Sequence, residues 1–301
     1  MPASVTSSNP LTVNQDTYDA LIIGCGPGGS SAATFLARAG KRVLVLEKEI
    51  FPRFHIGESL LPCNMTLFRE MGVLPALQAA GFLRKFGAQF KLGNGSLGTR
   101  FVFRQGKFNR EPETIQVERA TFDHILLQHA RASGADVREG WTVGKFASDD
   151  GGVNLEARDP DGKIHNFRAA FLIDASGRGN LTGNQENLRE MHPQWKKLAV
   201  FGHYEGVGRD AGEANTDTVI VRLENKWFWI IPLSATKTSV GLVVDKDEFA
   251  QSDGSPEEIF QRWIESSPPV RERMKTARRL GDLQTTTDFS YYNRRFVGAR
   301  L

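Results

Sequence analysis

Three glycines, Gly24, Gly26 and Gly29, stand in the spacing G-x-G-x-x-G inside DALIIGCGPGGSSAATFLARAGKRVLVLE, residues 19–47. A diphosphate asks this of a backbone: a tight turn at the first glycine, close approach at the second and close helix packing at the third. With 30 glycines in 301 residues the triplet alone is weak, so its flanks decide the matter. Leu21, Ile22 and Ile23 form a short apolar run suited to a strand buried on both faces, and residues 30–39 place apolar side chains at helical spacing. Gly40 ends the helix, and residues 42–46 return as a second apolar strand closing on Glu47, eighteen residues after Gly29. The helix N-terminus faces the phosphates, and an acidic residue at that distance suits ribose hydroxyls. A ligand with an adenosine diphosphate moiety is therefore expected against Gly24, Gly26, Pro27, Gly28, Gly29, Glu47 and Lys48.

A second candidate for chemistry is Lys85 in RKFGAQFKLG, flanked by Phe82, Phe86 and Phe90. Apolar surroundings alter a lysine, although a solvated surface cation is the plain alternative. Trp227 and Trp229, two of five tryptophans, fall on one side of a strand by period two and lead into Ile231 and Pro232. Aromatic filling of a core strand explains that pair equally well. Two cysteines, Cys25 and Cys63, exclude a disulfide framework, and six histidines without zinc-type spacing lead us to expect no metal. In the glycine turn, small size is the simplest reason for Cys25.

Composition narrows the partners. A net charge of +3 and pI near 8.9, without a dense Lys/Arg block or RNA-binding motif, point away from nucleic acid and suit an anionic ligand. No run of eighteen apolar residues exists, and residues 1–16 are polar without a hydrophobic signal segment. A disordered tail over 1–16, no membrane span and a cytoplasmic location are expected.

The elements that must position these residues stop being a simple chain of βα units after Glu47. Residues 51–62 read as loop, 65–80 as helical, 88–103 as a hairpin around Gly93, Asn94 and Gly95, and 114–117 as a strand. Residues 121–132 read as an amphipathic helix with Phe122, Ile125, Leu126 and His129 on one side. Val137, residues 153–157 and residues 164–173 suggest a β-meander ending in LIDASG. Strands follow near 199–204, 219–223, 227–233 and 240–244, then helices over 256–266 and 269–279 and a strand over 288–292.

This order, with the distant LIDASG stretch as a second dinucleotide contact, resembles the flavoprotein monooxygenase, geranylgeranyl reductase and flavin-dependent halogenase superfamily from Asp19 onward. The resemblance implies an α/β fold: a Rossmann-like FAD-binding domain of three ββα layers with an inserted antiparallel substrate sheet. It assigns 17–80 and 115–190 to the FAD-binding domain, with 281–301 returning to it, and 81–114 and 191–280 to the substrate domain. Arg119 of VERATFD, Asp174 and Gly177 of DASG, and Arg53 and Ser59 of PRFHIGESLLP match positions that line or support the FAD cleft. A salt bridge from Arg119 to Asp123, four residues on, is its structural alternative, and a helix cap is that of Ser59.

Trp227-Phe228-Trp229-Ile230-Ile231-Pro232 fits the W-x-W-x-I-P motif of the halogenases, and Lys85 aligns with the lysine that orients hypohalous acid in them. The resemblance thus implies halogenation, with chloride or bromide, of a phenolic or pyrrolic ring, either as a small free aromatic or bound to an acyl carrier protein. It implies reduced FAD supplied by a separate flavin reductase, since no NADPH fingerprint is present. In the family a G-D motif for the ribityl phosphate follows a strand like 288–292, whereas this sequence stops at Leu301 and reads as C-terminally truncated. The same fold leaves an aromatic monooxygenase or isoprenoid reductase as an alternative, and a non-catalytic flavin-binding fragment as another.

Overall fold

The structure is a computed structural model that describes residues 17–287 and 290–301. The tail expected over 1–16, and Asp288 and Phe289 of the last expected strand, lie outside the described residues.

The chain opens with β1 (Thr17–Ile23), α1 (Pro27–Arg38) and β2 (Val43–Glu47). Next come α2 (Cys63–Met71), α3 (Leu74–Ala79), β3 (Leu83–Lys85), β4 (Gly87–Leu92), β5 (Gly98–Val102) and β6 (Thr114–Gln116). Then α4 (Arg119–Ala132) leads through β7 (Asp136–Glu139), β8 (Thr142–Asp149), β9 (Gly152–Arg158) and β10 (Ile164–Asp174) to α5 (Leu181–Gln185) and β11 (Arg189–Met191). The remainder is β12 (Lys197–Glu205), β13 (Thr218–Arg222), β14 (Trp227–Pro232), β15 (Lys237–Asp245), α6 (Lys246–Ala250), α7 (Pro256–Ser266), α8 (Pro268–Met274), β16 (Arg278–Thr287) and β17 (Tyr291–Asn293).

A six-stranded sheet has the order β7-β2-β1-β10-β9-β8, with β7, β2, β1 and β10 parallel and β10, β9 and β8 an antiparallel meander. Strand alternation explains its three layers. Leu21, Ile23, Leu44 and Leu46 pack against Val143, Phe146, Val153 and Leu155 of the meander. The intervening Ile22, Val43 and Val45 pack with Ala33 of α1 and with Leu127 and Ala130 of α4. Each such side chain removed from water stabilises the sandwich by about 1.5–3 kcal/mol.

A seven-stranded sheet has the order β16-β12-β15-β14-β13-β4-β5. One face is core: Val221, Phe228, Ile230, Val240 and Leu242 meet Phe260 and Ile264 of α7 and Val270 of α8. The α/β class with ββα layers and a second sheet is thus the architecture observed.

Three local expectations are corrected. Residues 65–80 are two helices, because Gly72 at φ +77° closes α2 with its N–H on Arg69 and Phe68 carbonyls. The helix expected over 269–279 stops at Met274, and Arg278 and Arg279 enter β16, paired with Glu205 and Tyr204 of β12. The whole of β16 therefore lies in the seven-stranded sheet. Only later does the chain reach the first layers: β17 pairs with β11, and Arg300 O accepts from Leu172 N at 2.9 Å.

Candidate active site

The glycines divide into two kinds. At Gly24, φ is +90° and a Cβ would lie 2.6 Å from Ala175 O, while a Cβ on Gly29 would lie 1.9 Å from Gly24 O. These two allow β1, β10 and α1 to touch. Gly26 is free of such demands: its φ of −66° and ψ of −174° suit any residue, and the atom nearest its Cβ position is Arg53 Nη2 at 3.8 Å. At Gly28 no atom of the described residues lies within 4 Å of the Cβ position. Both border a cleft of about 1780 Å³, so their missing side chains leave a cradle there. α1 starts at that cradle with no acidic residue in its first turn and no side-chain cap, so its positive end faces the cleft. This arrangement fits a pyrophosphate.

Glu47, at the end of β2, also borders the cleft, as do Lys48 and Pro27. Its buried carboxylate accepts N–H bonds from Cys25 at 2.7 Å and Glu49 at 2.9 Å, which fastens the glycine turn to the strand end. The Cys25 thiol is pushed up to about 12 by burial and is inert, in keeping with a choice made for size. On the opposite wall, Asp174 accepts from Ser176 N, Thr182 N and Thr182 Oγ1 at 2.7–2.9 Å. Burial opposes its charge, but these bonds outweigh it and hold the carboxyl below its usual range. Asp174 thereby shapes the loop that carries Gly177 into the cleft.

Arg53 and Arg119 line the same cleft, and both grip one fully buried carboxylate. Asp123 accepts from Arg53 Nη1 at 2.7 Å, and from Arg119 Nε and Nη2 at 2.7 and 2.8 Å. The two alternatives for Arg119 therefore coexist: the i,i+4 bridge is present, and the arginine borders the cleft. Sequence reading saw Asp123 only as a partner for Arg119, and the shared grip with Arg53, 70 positions away, had no local signal.

Ser59 lies apart from the other residues expected at the cleft. It is not among the residues lining the cleft; its Oγ accepts from Lys85 Nζ at 2.7 Å and lies 2.7 Å from Thr218 Oγ1. Lys85 ends β3, is 3% exposed, and also donates to Leu60 O at 3.1 Å. Gln116 Nε2 donates to Thr218 Oγ1 at 2.9 Å and completes the network. Burial lowers the Lys85 pKa to about 8, against the pull of Asp217. The ring beside Lys85 is Phe103, 5.2 Å from Nζ, in place of the flanking phenylalanines expected. Phe82 instead packs on Phe122, Phe86 lies under Arg84, and Phe90 is exposed.

One face of the seven-stranded sheet joins the lysine to the cleft. Register aligns Phe201, Gly241, Trp229, Ile220 and Phe90 across β12, β15, β14, β13 and β4. Trp229 lies over Gly241, where a Cβ would come within 2.2 Å of the indole, and its N–H donates to Ser239 Oγ at 3.1 Å. Phe201 lines the cleft, and Thr218 on the same face holds Ser59. The segment 54–60 forms the wall between: Phe54, His55 and Ile56 border the cleft, while Ser59 and Leu60 hold Lys85. Buried Glu58 accepts from His203 Nε2 at 2.7 Å and anchors this wall to β12, a contact the sequence did not announce.

Fold and cleft together define a flavoprotein with a dinucleotide-binding ββα core, and the FAD binding domain family matches residues 17–294. A 1H-pyrrole-2-carbonyl-peptidyl-carrier protein brominase of Pseudoalteromonas luteoviolacea is 35% identical over 286 residues, covering 94% of this chain and 68% of its own. The corresponding chlorinase of Pseudomonas fluorescens is 33% identical over 298 residues, covering 91% and 66%, and a tryptophan 2-halogenase of Chondromyces crocatus is 34% identical over 285, covering 92% and 53%. Among solved structures, the myxobacterial chondrochloren halogenase CndH superposes with a TM-score of 0.87 at 32% identity, covering 94% of this chain and 67% of its own. The chain belongs to the flavin-dependent halogenase family. It spans between about half and two thirds of the length of these relatives.

Proposed function

We propose that this chain carries the FAD cleft and the reactive lysine of a halogenase acting on an electron-rich aromatic ring, pyrrolic or phenolic, in carrier-tethered form. The observation that carries the reading is Lys85, buried beside a polar network and separated from the cleft by the 54–60 wall. In this reading residues 17–80 and 115–190 hold FAD, and 81–114 with 191–287 serve the substrate. The cradle at Gly26 and Gly28 and the helix start at Pro27 would hold the pyrophosphate. Gly24 and Gly29 shape that turn, and Glu47 would hold the ribose, beside Lys48. Arg53, Arg119 and the Asp174–Gly177 loop would border the remainder.

Reduced FAD, when bound, would supply two of the four electrons that oxygen takes up, the other two coming from chloride or bromide as it becomes hypohalous acid. The task of this chain is then to receive that acid away from the cleft. Ser59 Oγ and Leu60 O fix the Lys85 ammonium, leaving a donor for the acid's oxygen, and a cationic donor there makes the halogen electrophilic. The pyrrole-2-carbonyl-carrier substrates of the two bacterial relatives support a pyrrole delivered on a carrier. A separate flavin reductase would supply the reduced cofactor.

The test supplies FADH2, oxygen, bromide and a pyrrole or phenol to wild type, Lys85→Ala and Lys85→Met. Flavin reoxidation is expected to persist in both variants while halogenated product disappears. A Lys85→Ala variant that halogenates at the wild-type rate, or a wild type that makes hydroxylated product regardless of halide, overturns the reading.

A further inference from the structure

We propose that the outer edge of the seven-stranded sheet, β5 with the segment that follows it, is the docking surface for the carrier protein. The inference rests on the carrier-tethered reading above. Residues 100–110, RFVFRQGKFNR, hold four cations, three phenylalanines and no carboxylate. β5 ends the sheet, so among the described residues its outer edge has no strand partner. Phe101 is 56% exposed and Phe108 91% exposed, and Phe101 meets the exposed Phe90 edge-on at 5.6 Å between ring centres. Adjacent exposed aromatic rings on an unpaired strand edge mark an interaction surface.

The charges identify the occupant. Arg100 and Arg104 are engaged by Asp217 and Glu213, but Lys107 and Arg110 are exposed and meet no carboxylate within ion-pair distance among the described residues. A carrier protein presents its acyl group on a phosphodiester-linked arm, so an anion precedes a thin chain ending in the ring. Free cations beside an apolar face match that order: the cations receive phosphate and acidic side chains, and the face receives the arm. The surface also leads to the proposed chemistry. Phe103 follows β5 directly, donates its N–H to Phe86 O at 2.9 Å, and places its ring over Lys85. An arm laid along Phe101 and Phe103 would end at the lysine.

The experiment measures binding of a pyrrole-2-carbonyl-loaded peptidyl carrier protein to this chain by calorimetry, without flavin or halide. The proposal expects saturable binding that weakens at least tenfold in Lys107→Glu/Arg110→Glu and, separately, in Phe101→Ser, with halogenation of a free pyrrole or phenol unchanged. Equal binding by wild type and both variants overturns it. So does absence of carrier binding, including the cases in which the patch binds anionic vesicles or a second copy of the chain instead. A wild type that halogenates the free ring but never binds the carrier refutes the surface alone, whereas a wild type that binds the carrier but halogenates neither free nor loaded ring refutes the functional reading.

Discussion

Gly26→Ala should make the protein more stable and a poorer FAD binder at once. The backbone at Gly26, φ −66° and ψ −174°, is open to any residue, and its Cβ would stop 3.8 Å from the nearest atom, at the end of the Arg53 side chain. With no strain in the folded chain, the variant gains from lowered unfolded-state entropy, about 0.4–1 kcal/mol. The added methyl fills the cradle and holds a pyrophosphate away from the N–H groups of the turn. Each bond lost to a charged ligand costs about 1.5–3 kcal/mol, so one lost bond weakens FAD by roughly 10- to 150-fold. Gly29→Ala is the contrast, since its Cβ would sit 1.9 Å from the backbone oxygen of Gly24 and no side-chain motion relieves it. That variant should lose at least about 1–3 kcal/mol of stability before any ligand is added. Urea unfolding of the apo proteins and FAD titration by calorimetry give the two readouts. A Gly26→Ala protein with a wild-type FAD dissociation constant would show that the phosphates lie elsewhere, and equal destabilisation by both variants would refute the division of the glycines.

Asp123→Ala should cost about 3 kcal/mol in urea unfolding, because it strips the shared carboxylate from Arg53 and Arg119, whose side chains are 14% and 11% exposed; the low end applies as each retains other contacts, and a loss under 1 kcal/mol would contradict the account. Folded Lys85 titrates near 8 while an unfolded lysine titrates near 10.5, so between these values the unfolded chain holds more protons and Lys85 makes stability rise with pH, its burial penalty being full below 8. Lys85→Met should therefore flatten the stability profile between pH 8 and 10.5 relative to wild type, and superimposable profiles would refute the assignment.

The sequence made the parallel strands legible because Leu21 to Ile23 and Val43 to Leu46 are apolar without interruption, as burial on both faces requires. It hid β8 because a register shift between Val143 and Lys145 breaks the period of two, leaving buried Val143 and Phe146 three residues apart. The helix overrun past Met274 has a different origin. Nothing local in the KTARR stretch opposes a helix, and strand pairing with β12, some 70 residues earlier, decides its conformation.

The site divides along the same line between local and distant causes. The glycine turn and Glu47 sit within one βαβ unit, so their spacing could be read directly, whereas Ser59 could not be placed. Its environment depends on an isolated bridge to Gln116 and on Thr218, which turn it away from Phe54, His55 and Ile56. Ser59 is three positions beyond Ile56, at most roughly 10 Å of extended chain, and three interstrand steps from Phe201 to the strand of Thr218 amount to roughly 14 Å. Neither Ser59 nor Lys85 is among the residues that line the cleft. In the proposed reading a small diffusing molecule connects the two places, so a change at Lys85 should separate loss of halogenated product from continued flavin reoxidation.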